Sequence, residues 1–447
     1  MMEIKRVLKD RLSARVCVVG AGPSGIAAIK NLQEHGITNV TVFEKNNQIG
    51  GNWVYDEQNE HSSVYETTHI ISSKRWSEFE DFPMPVDYPD YPSHSQLLKY
   101  FQSYVEHFHL DRYIRFNTVV QKVHRLDDNT WHVIYEDAQG IHEACYDYLL
   151  VANGHHWDPF MPVYPGVFDG EILHSHQYKK ASIFKGKRVL VVGGGNSACD
   201  VAVEISRVAP GTCISMRRGY HIFPKFIFGK PTDVAVAKIQ WMPSWLRQKF
   251  ISLVIRGLQG RYAKYKLMKP DCGPLEIHPT INSELLYFIR HGKIHPRPGI
   301  SRFEGNTVHF TDGTQGEFDT IIFATGYQIS FPFFDKNCID FSNSTTIPLY
   351  RKMMHPEFEN LYFIGLCQPQ GCIWPLADYQ SKIVARIIAG TLKRPEQLHQ
   401  KIAKEINKPH HRFKSHMRHA LEVDYHIFRR ELLEMLGQKH RRLKFYP

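Results

Sequence analysis

Two glycine clusters carry the first chemical signal in this chain: Gly20-Ala21-Gly22-Pro23-Ser24-Gly25 and Gly193-Gly194-Gly195-Asn196-Ser197-Ala198. Glycines at this spacing turn the backbone tightly and let its N–H groups approach a pyrophosphate at the positive end of a following helix. Ala198 replaces the third glycine of the second cluster, a change the pattern permits. One cluster implies one bound dinucleotide. Two in one chain imply two redox nucleotides brought into a single reaction.

The surrounding residues supply the elements such clusters need. Arg15-Val16-Cys17-Val18-Val19 is a short apolar strand running into Gly20. Ser24 to Glu34 reads as a helix, with apolar Ile26, Ala27, Ile29 and Leu32 and a stop at Gly36. A second strand, Val40-Thr41-Val42-Phe43, ends at Glu44, and an acid there suits the unphosphorylated ribose of FAD or NAD. A glycine turn in an ordinary α/β unit is the plainer reading, but strand, glycines, helix, strand and acid in this order outweigh it. The second copy differs where the nucleotide is selected. Its first strand is Lys187-Arg188-Val189-Leu190-Val191-Val192, and its second, Cys213-Ile214-Ser215-Met216, ends in Arg217-Arg218. A guanidinium there can hold a 2′-phosphate in a forked pair that a carboxylate would repel, so this half should take NADPH. The plainer alternative is a solvated basic turn.

Composition frames these motifs. The chain has 447 residues, 43% of them apolar, which exceeds a single core and fits two or three domains. No apolar run is long enough to span a bilayer, and Met1-Met2-Glu3-Ile4-Lys5-Arg6 does not read as a signal peptide, so a cytoplasmic protein without a transmembrane anchor is expected. Eight scattered cysteines without a CxxC pair (Cys367 and Cys372 come nearest) fit reduced thiols better than a disulfide framework. None of the 26 histidines falls in HExxH or a Cys/His zinc spacing; His155-His156 and His410-His411 read as loop residues, and no metal is expected. The formal charge is +10, and from Lys393 onward fourteen Lys and Arg face six Asp and Glu. That tail also carries Leu421, Val423, Ile427, Leu432, Leu433 and Leu436, so it reads as packed helix with a solvated basic face, and no nucleic-acid partner is expected.

Two joints divide the chain: Asp158-Pro159-Phe160-Met161-Pro162-Val163-Tyr164-Pro165-Gly166, and Ile329-Ser330-Phe331-Pro332-Phe333-Phe334. Each follows a buried strand, Leu149-Leu150-Val151-Ala152-Asn153-Gly154 or Ile321-Ile322-Phe323-Ala324-Thr325-Gly326-Tyr327. The fold expected is α/β, with two Rossmann-like dinucleotide-binding domains, the NADPH domain inserted in the FAD domain. Residues 1–165 form the first part of the FAD domain, 166–325 the NADPH domain, and 326–447 the return segment and C-terminal helices. Residues 223–265, rich in aromatic and basic side chains, read as a helical excursion that could build a substrate channel or a membrane-facing surface.

Between the glycine clusters lies Phe168-Asp169-Gly170-Glu171-Ile172-Leu173-His174-Ser175-His176-Gln177-Tyr178-Lys179, which matches the FxGxxxHxxxY(K/P) signature of the flavin-containing monooxygenases. The resemblance covers nearly the whole chain. Gly50-Gly51-Asn52-Trp53 is similar to the family's GGxW, Asn196-Ser197-Ala198-Cys199-Asp200-Val201-Ala202 to its NSxxDIA helix, and Ala324-Thr325-Gly326-Tyr327 to its ATGY motif. Phe363-Ile364-Gly365-Leu366 with Gln368 resembles its late flavin-contacting segment, and Glu422-Val423-Asp424-Tyr425 its C-terminal VDY stretch. The family implies that NADPH reduces FAD, which reacts with O2 to give a flavin hydroperoxide that oxygenates an amine nitrogen or a sulfur. The cofactors carry this chemistry, so no Ser-His-Asp or paired-carboxylate apparatus is needed. On this resemblance Gly20, Gly22, Pro23, Ser24, Gly25, Glu44, Gly51, Trp53, Val120 and Gln368 would serve FAD. Gly193, Gly195, Asn196, Ser197, Arg217, Arg218 and Thr325 would serve NADPH, and His174 and Tyr178 would hold the lobe junction. A homodimer is compatible with the family.

One departure stands out. The family has an asparagine three residues before a lysine, facing flavin and substrate; with Lys74 as anchor, Ile71 occupies that place, followed by Ser72 and Ser73. Isoleucine neither donates nor accepts a hydrogen bond, so the oxygenating intermediate should be less protected here unless Ser72, Ser73 or a backbone amide substitutes. Related Baeyer–Villiger or keto-acid oxygenases, a disulfide reductase of the two-nucleotide class, an uncoupled NADPH oxidase and a non-catalytic cofactor-binding protein are the competing readings. The missing CxxC argues against the reductase.

Overall fold

In the computed structural model, which describes residues 11–58, 61–276, 278–342, 344–407 and 420–438, the strand Val16–Val19 is buried along its whole length at the centre of a parallel sheet. The sheet runs Leu361–Phe363, Tyr148–Val151, Val16–Val19, Val40–Phe43, Ile114–Arg115, with Val16 opposite both Val40 and Tyr148. Covered on both faces, such a sheet demands the unbroken apolar runs seen in the sequence. The helix after the first cluster spans Pro23–Glu34, one residue earlier than expected, because proline suits a first turn whose N–H would go unused. Helix Trp374–Ile388 packs along it. An antiparallel meander, Val119–Arg125, Trp131–Asp137 and Gly140–Tyr146, adds Val123, Trp131, Val133 and Tyr135 to a core shared with Phe43, Leu149 and Phe363. These elements belong to a unit made of Met1–Val54, Lys74–His155 and Ile329–Pro447.

The other unit is Tyr55–Ser73 with His156–Gln328. Its parallel sheet runs Ile294–Arg297, Thr212–Ser215, Val189–Val192, Thr320–Phe323, Glu171–His174. Helix Asn196–Ser206 packs on it through Val201 and Ile205, in a core with Ile214, Leu285 and Ile322. A second meander, Ile300–Glu304, Thr307–Phe310 and Gln315–Glu317, covers part of the sheet through Phe303, Val308 and Phe310. The joints fall at His155/His156 and Gln328/Ile329 rather than at 165/166 and 325/326. The two crossing segments pair with each other: Phe160 N donates to Gly326 O at 3.0 Å and Gln328 N to Asp158 O at 2.8 Å, which holds both in this unit. The segment 55–73, read from sequence as part of the first lobe, also packs here.

The 223–265 region carries helices Thr232–Ala237 and Ser244–Gln259, with a small core of Phe223, Ile227, Ile251, Ile255 and Leu275. In the tail, helix Tyr425–Met435 buries Phe428, Leu432 and Leu433 and is capped by the Asp424 carboxylate, which accepts from Ile427 N at 2.9 Å. Met1 to Arg6, His410 and His411 lie outside the described residues. All eight cysteines are free thiols, and no helix among the described residues is long and apolar enough to cross a membrane.

Candidate nucleotide-binding sites

The first cradle forms where strand Val16–Val19 turns into helix Pro23–Glu34. Gly20 takes φ +100°, and a Cβ on Gly25 would stand 2.0 Å from the Gly20 carbonyl oxygen, so only glycine lets the helix start this close to the strand. Gly22 begins the helix in extended backbone with no side-chain cap, which leaves first-turn N–H groups and the positive helix end to an anion. Gly51 completes the cradle, because a Cβ there would lie 3.0 Å from Gly22 Cα. At the end of the neighbouring strand, Glu44 Oε2 accepts from Ala21 N at 2.7 Å and Oε1 from Asn46 N at 2.8 Å. Burial raises its pKa and these two donors oppose the rise. Glu44 thus fixes the glycine turn itself, while each oxygen keeps a lone pair for a ribose hydroxyl.

The remaining first-cradle candidates separate into near and peripheral positions. Ser24 is in close approach to Gly365, where a Cβ would meet Ser24 Oγ at 2.2 Å. The Trp53 ring stands edge-on to Trp374 at 5.6 Å. Gln368 Oε1 pairs with the ring of buried His155 at 3.1 Å, and burial lowers the pKa of that imidazole. Val120 sits on the meander, opposite Tyr135, and packs against the core.

The second cradle repeats the first with different neighbours. Gly193 has φ +140°, and a Cβ on it would reach the Ala324 carbonyl oxygen at 2.4 Å, while one on Gly194 would enter the Tyr220 ring. Gly195 starts helix Asn196–Ser206 without a side-chain cap, again leaving the first-turn N–H groups open. Asn196 Oδ1 accepts from Ile281 N at 2.7 Å, so its side chain braces the turn. Thr325 Oγ1 donates to Phe160 O at 2.5 Å. Arg217 is exposed just beyond strand Thr212–Ser215, and Arg218 lies over the Tyr220 ring at 5.4 Å. Neither arginine has an ion-pair partner among the described residues.

Beside these arginines opens a cavity of about 400 Å³ lined by Met216, Lys266, Leu267, Met268, His295, Pro296, Arg297, Pro298 and Asp312. Three of its residues, Lys266, His295 and Arg297, are basic, and sequence reasoning missed all three. His295 and Arg297 arrive by strand pairing, opposite Cys213 and Ser215, and Lys266 arrives from beyond the helical excursion. Their separation in sequence left no local pattern to read.

The signature segment includes the edge strand Glu171–His174 and ends in anchors. The Tyr178 hydroxyl donates to Glu204, the Lys179 ammonium to Ser62 O at 2.5 Å, and Glu66 N to Lys179 O at 2.8 Å. The Tyr65 hydroxyl donates to Asp200 at 3.2 Å, and Asn282 supports the same carboxylate. Tyr178 and Lys179 therefore tie residues 62–66 to the sheet unit. His174 lies edge-on to Tyr327 at 5.3 Å, its pKa pushed down to about 4 by burial and by His176, which keeps the ring neutral. On the tethered strap, Ile71 is half-buried and Ser72 and Ser73 are buried. Ser73 N donates to Asp233 Oδ2 at 2.6 Å, and burial raises the pKa of that carboxyl. The Lys74 ammonium donates to Pro85 O, Val86 O and Tyr88 O.

Comparison with known proteins agrees with this geometry. Residues 13–446 match the family described as flavin-binding monooxygenase-like. Flavin-containing monooxygenase 5 of Rattus norvegicus is 34% identical over 451 residues, which cover 95% of this chain and 83% of that protein. The structure of S-allyl-L-cysteine S-oxygenase from Allium sativum is similar with a TM-score of 0.71 at 21% identity, covering 96% of this chain and 90% of that one. Cyclohexanone monooxygenase from Rhodococcus sp. Phi1, bound to NADP+, has a TM-score of 0.71 at 17% identity, covering 95% and 97%. These likenesses establish the α/β fold with two dinucleotide-binding domains.

Proposed function

Because the chain belongs to the flavin-binding monooxygenase-like family, whose cofactors are FAD and NADP(H), we propose that it uses NADPH and O2 to oxygenate soft nucleophiles, an amine nitrogen or a sulfur. The observation that carries this reading is the contrast between the two cradles: a buried acid, Glu44, follows the second strand of one, and exposed Arg217, without an ion pair among the described residues, follows that of the other. The bound cofactors supply the redox chemistry and the activated oxygen; the chain binds, orients and excludes water.

In this reading Gly20, Gly22 and Gly25 present backbone donors to the FAD pyrophosphate, and Glu44 takes the adenosine ribose. Gly193, Gly195 and the Asn196–Ser206 helix end do the same for NADPH. Arg217, Lys266 and Arg297 hold the 2′-phosphate side, with the basic cavity as its enclosure. The strap bearing Ile71, Ser72 and Ser73 lines the reacting end, and its Ser73 amide is fixed by Asp233.

The test is NADPH oxidation in air by the purified yellow protein with a panel of amines, thioethers and ketones, following H2O2 and product mass together. An N- or S-oxide formed in step with NADPH supports the proposal. A lactone or ester would replace it with a Baeyer–Villiger reading, and H2O2 in place of product with an oxidase. NADPH oxidation no faster than with free flavin would overturn catalysis altogether.

A further inference from the structure

Helix Thr232–Ala237 opens on a half-buried carboxylate that has no ion pair among the described residues. Asp233 accepts from Ser73 N at 2.6 Å through Oδ2 and from Val234 N at 2.8 Å through Oδ1, and both donors are neutral amides. The neighbouring lysines act elsewhere. The Lys74 ammonium, next to Ser73 in the chain, donates to Pro85 O, Val86 O and Tyr88 O. Lys225, whose carbonyl accepts from Thr232 N at 3.0 Å, directs its charge at Asp200, and Lys230 and Lys238 are exposed.

A carboxylate taken partly out of water and held only by amides carries a desolvation cost that an incoming cation would offset. Each of its oxygens keeps a lone pair beyond the hydrogen bond it already accepts. The surroundings are otherwise apolar: Val236 and Ile239 pack with Phe223 and Ile251, and Ile71 stands two residues before Ser73 on the strap. A ketone oxygen asks for a donor, which neither Ile71 nor an ionised Asp233 supplies, whereas an alkylated ammonium asks for an anion in an apolar surround. We propose that Asp233 is a specificity-determining residue, which selects amines, bound in their ammonium form, over thioethers and ketones of the same shape. The assignment rests on the strap's place at the reacting end in the oxygenase reading. Were the carboxylate only a pin for the strap, a neutral acceptor would serve Ser73 N as well.

The test is equilibrium dialysis of the full-length flavin-loaded protein against benzyltrimethylammonium and its uncharged isostere, neopentylbenzene. The quaternary nitrogen has a charge but no lone pair, so it reports binding apart from oxygenation. The parent should bind the cation at least about tenfold tighter than the isostere. Asp233→Asn, which keeps an acceptor for Ser73 N, should weaken binding of the cation alone by about tenfold or more. In turnover, the preference in kcat/KM for dimethylbenzylamine over benzyl methyl sulfide should fall by a similar factor. If Asp233→Asn loses its flavin, Asp233→Glu and Asp233→Gln, equal in length and different in charge, decide: the cation should bind Asp233→Glu about tenfold tighter. Equal binding of cation and isostere by the parent, or of the cation by charged and uncharged variants, would overturn the assignment. Cation selectivity in a protein that oxygenates neither substrate would uphold Asp233 and overturn the oxygenase reading. N-oxide formation whose preference Asp233→Asn leaves intact would do the opposite.

Discussion

The Tyr178 hydroxyl donates to Glu204 Oε2 across 2.9 Å, joining the signature segment to helix Asn196–Ser206. Burial pushes the Glu204 carboxyl up to about 7, with the Tyr178 donor acting in the opposite direction and Asp200 reinforcing the rise. The folded protein therefore keeps a proton that the unfolded chain gives up near its ordinary value of 4.5, and stability falls as pH rises from there through 7. The loss amounts to about 3 kcal/mol at most. Glu204→Gln should flatten this dependence and melt higher than the parent above pH 7, as read by thermal unfolding at pH 5 and pH 8.

Arg217, Lys266 and Arg297 are expected to distinguish NADPH from NADH. Removing one charge-assisted contact to a phosphate costs about 1.5–3 kcal/mol, or roughly ten- to a hundredfold. Arg217→Ala should raise the KM for NADPH by that factor and leave NADH kinetics unchanged, and Lys266→Ala should act in the same direction. Equal use of the two nucleotides by the parent protein would remove the role assigned to these residues.

Ile71→Asn places a donor and an acceptor where the chain now has neither. The share of consumed NADPH recovered as H2O2 should fall severalfold, with product formation rising to match. An unchanged ratio would mean that the buried Ser72 and Ser73, or a backbone amide of the strap, already fill the role.

Gly25→Ala forces a Cβ to within 2.0 Å of the Gly20 carbonyl oxygen, a backbone atom that cannot swing aside. Overpacking of this kind costs about 1–3 kcal/mol or more, and here it distorts the cradle directly. The variant should purify with little flavin, measured as the flavin-to-protein absorbance ratio.

Much of both cradles was legible in the sequence because each element is short, continuous and punctuated by glycine. Val16–Val19 and Val189–Val192 are unbroken apolar runs, and Glu44 and Arg217 follow the strand ends closely enough to be counted. The segment 55–73 falls in the second unit although it has no periodicity: scattered bonds with Lys179, Asp200 and Asp233, which no local pattern announces, hold it there. The basic cavity stayed hidden for a related reason, since parallel pairing brings Arg297 beside Ser215 across more than eighty residues. The 223–265 region was legible as helical but not as two-faced, because burial of Ile251 and exposure of Leu253 depend on what packs beneath them.

The order in which the strands enter the first sheet has a consequence for how the chain is made. Its edge strand, Leu361–Phe363, and the helix that packs along Pro23–Glu34, Trp374–Ile388, follow the entire second unit in sequence. A chain emerging from the ribosome therefore completes the later-starting unit first, while Tyr148–Val151 waits with one edge unpaired. Pairings of such long sequence separation form slowly. Truncation before residue 361 would thus leave the sheet that begins the protein as the part that lacks a strand.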